Sequence, residues 1–179
     1  MQTQDLRYPI GKYQKPDTVN SVSINSWISD IEELPKLLRD KTSKLTDKQL
    51  SWKYRPDGWS IRQVVHHCAD SHINSIVRFK LTLTEDEPTI KPYFEDRWAK
   101  LPDTTEPPVE WSLMLLDGLH KKWVYLLRSL NEEDWKKVFV HPEHGRKVSI
   151  GENIALYAWH CKHHLAHIDQ ALKHQGEFN

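Results

Sequence analysis

Four histidines lie within nine residues of one segment, Trp159-His160-Cys161-Lys162-His163-His164-Leu165-Ala166-His167. His160 and His164 are four positions apart, so on a helix they project from one face, one turn from each other. Two neutral imidazoles with this spacing can bind one metal ion from a single helix, as they do in helical zinc sites. A second histidine-rich helix, Val64-Val65-His66-His67-Cys68-Ala69-Asp70-Ser71-His72, contains His67, which we interpret as the third ligand.

Other histidines in these two segments are alternatives for the same role. His163 and His167 are also four positions apart, and spacing separates this pair only weakly from His160 and His164. A solvent-exposed helix residue or a hydrogen-bonded core group would be the simpler explanation for any single histidine. The clustering of the residues in two segments favours a metal site instead. The remaining candidates are His66 and His72.

The composition favours a cytoplasmic protein with no nucleic-acid or membrane partner. The chain has 25 Lys and Arg residues against 25 Asp and Glu, so no net charge attracts it to a polyanion. No apolar run is long enough to cross a bilayer, and the first residues lack an apolar signal core. The two cysteines, Cys68 and Cys161, fit a reducing compartment. A length of 179 residues predicts one domain, residues 1–179.

Apolar residues at helical spacing predict four long helices. We place these at about 23–45, 60–84, 107–130 and 149–176. Pro35 is expected to kink or split the first helix. Short helical turns are predicted near 46–50 and 131–137, and a small hairpin within 138–150. Residues 1–22 are predicted to form an extended arm on the surface, and residues 85–108 a long loop that acts as a lid or pocket wall.

The two halves of the sequence resemble each other. In each half, a long helix is followed by a short turn, an extended segment and a helix that carries a histidine cluster. Ser60 with Gln63, and Ser149 with Glu152, predict capping boxes at the starts of these two helices. The pattern predicts an all-α, four-helix bundle with pseudo-twofold symmetry. In that fold the second and fourth helices are equivalent, which favours a site in the bundle core where His67 meets the other two histidines.

Three neutral imidazoles and an open coordination position are typical of a catalytic zinc site, although nickel also accepts imidazole ligands. Cys161 follows His160, so the segment lacks the glutamate of a His-Glu-x-x-His metalloprotease helix. Without that built-in base, a substrate thiol suits the site well, because a coordinating thiol loses its proton at neutral pH. Metal-assisted attack of water on an ester or amide is the alternative.

Residues next to the proposed ligands receive separate interpretations. Asp70 lies near His67 and is a candidate base or hydrogen-bonding partner, with an exposed carboxylate as the alternative. Cys68 and Cys161 are rotated away from the ligand face and are predicted to be small buried residues. Core packing is the expected role of tryptophans 27, 59, 111, 123 and 159.

Several segments resemble the YfiT proteins of the DinB-like superfamily, and the resemblance covers nearly the whole chain. The match is most specific at the two histidine-rich helices. The segments are Arg7-Tyr8-Pro9-Ile10-Gly11, residues 54–67, Ala69-Asp70-Ser71-His72, Arg78-Phe79-Lys80-Leu81, Pro92-Tyr93, Trp159-His160 and His163-His164.

The resemblance implies a four-helix bundle, a homodimer and a divalent ion, zinc or nickel, bound by His67, His160 and His164. It also implies an enzyme that is either a metal-dependent hydrolase or a thiol S-transferase of the kind that uses bacillithiol. The sequence assigns no catalytic residue beyond the metal ligands and no further cofactor. A competing class is a non-catalytic dimeric stress or binding protein whose metal only stabilises the bundle.

Overall fold

Four long helices form the body of the molecule. The computed structural model describes residues 5–143 and 145–179. Within these ranges, none of the helices combines the length and hydrophobicity needed to cross a membrane. The long helices are α1 (Ser21–Thr42), α3 (Ile61–Thr84), α6 (Glu110–Arg128) and α8 (Ile150–His174). The shorter elements are α2 (Asp47–Leu50), α4 (Glu95–Trp98), α5 (Pro102–Thr105), α7 (Glu132–Lys136), β1 (Val138–His141) and β2 (Arg146–Ser149).

The long helices pack as a bundle in which sequence neighbours are not always spatial neighbours. Helix α1 packs against α6 and α8, and α3 packs against the same two helices. The consecutive long helices α1 and α3 therefore occupy opposite corners. This arrangement confirms the predicted all-α, four-helix bundle with a small hairpin, and it places the two histidine-rich helices, α3 and α8, side by side.

The core is built from apolar side chains of all four long helices. Ile31, Val65, Trp123 and Ile154 are fully buried. The prediction of core packing is wrong for Trp111, whose side chain is 61% exposed on α6. Position 111 belongs to an outer stripe of that helix, which the apolar spacing alone did not distinguish from the buried one.

The two histidine-rich helices start at the predicted caps, but only one capping box is complete. The Ser60 hydroxyl accepts from the Gln63 amide, and the Gln63 side chain accepts from the Ser60 amide at 2.9 Å. The Ser149 hydroxyl accepts from the Glu152 amide at 3.1 Å. The Glu152 carboxylate, however, pairs with Arg146 and Lys15, because these cations attract it more strongly than a backbone amide.

Pro35 lies inside α1, which continues past it, so the split is the wrong one of the two predicted effects, a kink or a split. Proline has no N–H, so the Ile31 carbonyl cannot receive its usual helical hydrogen bond. The Nδ1 atom of His120, on α6, lies 2.7 Å from that carbonyl oxygen and supplies the missing donor. A buried carbonyl is thus satisfied from a neighbouring helix, and α1 continues for two more turns.

Residues 85–108 are more regular than the predicted loop. They contain α4 and α5, and Thr89 forms a parallel bridge with Val140. Pro102 opens α5, where its fixed φ angle suits the first helical turn. The side-chain amide of Gln63 donates to the Ala99 carbonyl at 2.7 Å, which ties the segment to α3.

The chain before α1 runs along α8. The Tyr13 hydroxyl donates to the Glu152 carbonyl at 3.2 Å, and the Trp159 indole donates to the Gly11 carbonyl at 3.3 Å. Helix α1 starts two residues earlier than predicted, because Asn20 caps it reciprocally with Ser23. The predictions for residues 1–4 of the arm and for residue 144 of the hairpin turn lie outside the described residues.

Candidate metal centre

Three imidazole rings from α3 and α8 converge at one point. His67, His160 and His164, the histidine triad, each present a ring nitrogen, and these three atoms lie within 4.8 Å of one another. The Nε2 atoms of His67 and His160 are 3.3 Å apart. The spacing of four residues on α8 and the direct packing of α3 against α8 produce this convergence.

Burial keeps the triad in the neutral form that metal binding requires. His67 and His164 are 7% and 5% exposed. Desolvation by burial lowers the pKa of His67 to about 4 and holds the pKa values of His160 and His164 well below the usual 6.5. The three rings therefore remain unprotonated at neutral pH, with a lone pair on each.

The alternative histidines have other partners. His66 bonds through Nδ1 to the Ser112 hydroxyl at 2.7 Å, on the side of α3 that faces α6. His163 stacks on the Trp159 ring, with centroids 4.3 Å apart. His72 and His167 hydrogen-bond to other histidines and lie outside the three-atom cluster. Among the described residues, the triad is the set that converges, although its role as a ligand set stays a prediction.

The triad lies in the wall of an open cavity of about 820 Å³. Pro92 and Tyr93 contribute to the lining, so the segment between α3 and α6 forms one wall, as one of the predicted roles required. The Ser71 hydroxyl lies 3.4 Å from His160 Nε2 and 3.3 Å from the Tyr157 hydroxyl. A small molecule that enters the cavity can therefore reach the three imidazoles.

A model of the DinB superfamily matches residues 30–168. The chain is 50% identical over 167 residues to a protein of Oceanobacillus iheyensis, covering 93% of this chain and 96% of that one. It is 52% identical over 169 residues to a protein of Bacillus cereus strain B4264, covering 94% and 96%. Both relatives carry the name "Putative metal-dependent hydrolase".

The chain belongs to the DinB superfamily. The solved structure of YfiT from Bacillus subtilis resembles it with a TM-score of 0.92 and 42% sequence identity, covering 96% of this chain and 98% of that one. YfiT is described as "a probable metal-dependent hydrolase with an unusual four-helix bundle topology".

The donor set of this DinB-superfamily chain fits a divalent ion. The triad offers three neutral nitrogen donors, and among residues 5–143 and 145–179 no fourth side-chain ligand joins the cluster. Two Nε2 lone pairs at 3.3 Å repel each other unless a proton or a cation lies between them. A bound cation removes that repulsion for all three rings at once.

Three residues near the triad differ in part from the roles predicted for them. Asp70 lies outside the cavity lining, and burial together with the Asp103 charge raises its pKa to about 6. Trp59 and Trp159 both line the cavity wall. Trp59 also packs against the hydrophobic core, as predicted, and its ring lies 4.7 Å from the His67 ring. Core packing was therefore an incomplete interpretation of their position beside the ligand helices.

The cysteine prediction is confirmed. Cys68 and Cys161 are fully buried, and burial raises the pKa of both thiols. Sequence reasoning missed Ser71 as a group beside the triad, whereas Tyr157 shares the α8 face of His160 and His164 by its spacing in the sequence. Ser71 follows His67 by one helical turn, so the spacing of four residues could have identified it.

Proposed function

We propose that this protein is a metal-dependent enzyme that uses a low-molecular-weight thiol as its nucleophilic substrate. In this proposal His67, His160 and His164 bind one divalent ion. The convergence of three neutral imidazoles in the wall of an open cavity carries the proposal. A structural zinc site is normally closed by four protein ligands, whereas three ligands and an open position are typical of catalysis.

The choice of thiol over water rests on the surroundings of the triad. The hydrogen bonds recorded for these rings, among the described residues, go to other histidines and to the Ser71 hydroxyl. None of them goes to a carboxylate, the group that usually deprotonates an attacking water. The ion, when bound, supplies a Lewis acid that lowers the pKa of a coordinating thiol or water.

The chain's own side chains would position the reactants. Trp59 and Trp159 flank the triad and offer apolar surface to the substrate, while Ser71 and Tyr157 offer hydroxyl groups that can donate or accept a proton. The thiol sulfur would form a bond to an electrophilic carbon, the leaving group would depart with the bonding electron pair, and the thiol proton would pass to solvent. The names of the relatives favour hydrolysis, in which water replaces the thiol.

Zinc is the ion that we propose, with nickel as the alternative. Three imidazoles and one exchangeable position are a common zinc coordination set. Nickel accepts the same ligands and binds them with comparable strength. Zinc is favoured only because it prefers four ligands.

We also propose that the protein is a cytoplasmic homodimer. Helix α6 supports an interface between copies, because Trp111, Met114 and Leu115 are 61%, 56% and 46% exposed on it. Neighbouring apolar groups of this size on a surface commonly mark a contact with another protein. The two free, buried cysteines support a reducing compartment.

Metal content and thiol transfer test the proposal together. Elemental mass spectrometry on untagged protein is expected to find about one zinc per chain. The ion should be lost in His67→Ala and retained in His66→Ala, a matched variant whose imidazole bonds to Ser112 instead. A metal-free native protein, or equal metal content in the two variants, would contradict the ligand assignment.

The zinc-loaded protein should then be assayed with thiols (cysteine, glutathione, coenzyme A and bacillithiol) against monochlorobimane. A matched set of nitrophenyl esters without thiol measures hydrolysis. Thiol-dependent alkylation that requires His67 supports the proposal. Ester hydrolysis without thiol transfer would favour the hydrolase, and activity in neither assay would favour the non-catalytic metal protein.

A further inference from the structure

Three histidines outside the triad are connected to it by hydrogen bonds. His72 and His167 contact triad residues, and His120 contacts His72. His160 and His164 each contact another histidine through Nδ1, and the Nε2 of His160 faces His67. His160 Nδ1 lies 3.1 Å from His72 Nε2, and His164 Nδ1 lies 3.4 Å from His167 Nδ1. These contacts continue to backbone carbonyls, which makes it possible to assign every proton in them.

The first series of hydrogen bonds, from a backbone carbonyl through His120 and His72 to His160, begins at Pro35. Because proline lacks an N–H, the Ile31 carbonyl is left for His120, whose Nδ1 must carry a proton in order to donate to it at 2.7 Å. His120 is only 2% exposed, and burial favours its neutral form, so its Nε2 has a lone pair. One backbone oxygen thus determines the tautomer of a ring on another helix.

The assignment passes from ring to ring. His120 Nε2 accepts, so the Nδ1 of His72, 2.8 Å away, must donate. His72 is completely buried and neutral, which leaves its Nε2 as an acceptor. His160 must then donate from Nδ1, and its Nε2 keeps the lone pair that faces His67.

A second, independent series reaches the other triad residue of α8. His167 Nε2 donates to the Arg7 carbonyl at 3.1 Å, so the neutral His167 ring accepts at Nδ1. His164 donates to it from Nδ1, which leaves His164 Nε2 unprotonated. The N-terminal arm therefore fixes the tautomer of His164, just as the carbonyl left free by Pro35 fixes the tautomer of His160.

We infer that His72, His120 and His167 are positioning residues that hold His160 and His164 as their Nδ1–H tautomers and direct both Nε2 lone pairs to one ion. The inference rests on the proposed metal site, and it extends the site to rings on α3, α6 and α8. Each series ends on a carbonyl, which has no proton to give. The series therefore orients the ligands rather than conducting protons. Groups that orient a ligating histidine typically contribute about 10–100-fold to metal affinity.

The tautomers can be measured in the metal-free protein and require no activity assay. Long-range ¹H–¹⁵N spectra of the imidazoles in the metal-free protein are expected to show Nδ1–H for His72, His120, His160 and His164, and Nε2–H for His167. Mixed tautomers, or Nε2–H at His160 or His164, would overturn the inference. A failure of the protein to bind zinc would contradict the proposed function but would leave this measurement decisive.

The expected effect of these residues on zinc binding is tested by measuring zinc affinity in competition with a chromophoric chelator. His72→Gln keeps an acceptor oxygen near the position of Nε2, whereas His72→Leu removes it. We expect a loss of about 10–100-fold for the leucine variant and recovery of most of it in the glutamine variant. His66→Leu, a buried histidine on the same helix that bonds to Ser112, serves as control and should retain the native affinity. Equal losses in both His72 variants, or no loss in either, would refute the positioning role.

Discussion

Mild acid is expected to unfold the metal-free protein. Burial lowers the pKa values of His67, His120 and His163 to about 4 and that of His167 to about 3. In the unfolded chain these residues return to the ordinary value of 6.5. Between these values the unfolded state binds more protons than the folded state, so stability is at its maximum above pH 6.5 and falls as the pH drops toward 4.

The size of the effect follows from the shifts. Each of these four rings is at most 7% exposed, so solvent screening reduces the effect little. Between pH 7 and pH 5, one histidine with such a shift removes about 1.8 kcal/mol from the free energy of unfolding. The four together remove roughly 7 kcal/mol, a large part of the 5–15 kcal/mol typical of a domain. Four more histidines have pKa values lowered by burial and add to the loss: His66, His72, His160 and His164.

Urea denaturation of chelator-treated protein at half-unit steps from pH 7.5 to pH 5 measures this dependence. His163→Phe is a matched variant, because its ring can still stack on Trp159 and the Nδ1 that it removes has no hydrogen-bond partner. This variant should recover about 1.8 kcal/mol of the loss between pH 7 and pH 5. A native stability that changes by less than about 2 kcal/mol over this range would refute the reasoning, because the rings would then not be buried as neutral groups.

Three further predictions concern the bundle and its surface. Trp123→Ala should lower the free energy of unfolding by about 3–5 kcal/mol, measured by urea denaturation at pH 7.5, because the indole is completely buried between helices. Ser60→Ala should cost about 1 kcal/mol in the same assay, because it removes the hydroxyl of a complete capping box. Trp111→Lys should convert a dimer to monomer in sedimentation velocity and leave monomer stability unchanged, whereas Val77→Lys, at an exposed position on α3, should leave the dimer intact. A dimer that persists in the Trp111 variant would place the interface elsewhere.

Local sequence patterns predicted most of the helical framework. The capping residues located the starts of α3 and α8, since a hydroxyl before an apolar periodic segment acts within one turn of chain. The ends of α1 and α6 differ from prediction by a few residues, because apolar spacing continues beyond the last helical hydrogen bond. The split predicted at Pro35 failed for another reason: the Ile31 carbonyl that this proline leaves unpaired is satisfied by His120, 89 positions away in sequence.

The candidate site was predictable only where one helix determines it. The spacing of four residues brought His160 and His164 to one face, and the pairing of equivalent helices added His67. His72 and His120 were beyond this reasoning, because their role depends on contacts between three helices that no spacing encodes. Sequence did not predict that Trp59 and Trp159 line the cavity, because an aromatic side chain beside a buried helix usually packs in the core.

The N-terminal arm has a consequence for how quickly an ion exchanges with solvent. Its carbonyls bond to His167, Gln170 and Trp159, and none of residues 5–20 is fully buried. A segment of this kind detaches locally at a small fraction of the free energy needed to unfold the bundle. Detachment would remove the hydrogen bond of His167 Nε2 to the Arg7 carbonyl while leaving the four helices folded. A bound ion would then dissociate faster from the open state, and a fusion tag or trimming near Arg7 would change the exchange rate without altering the melting temperature of the helices.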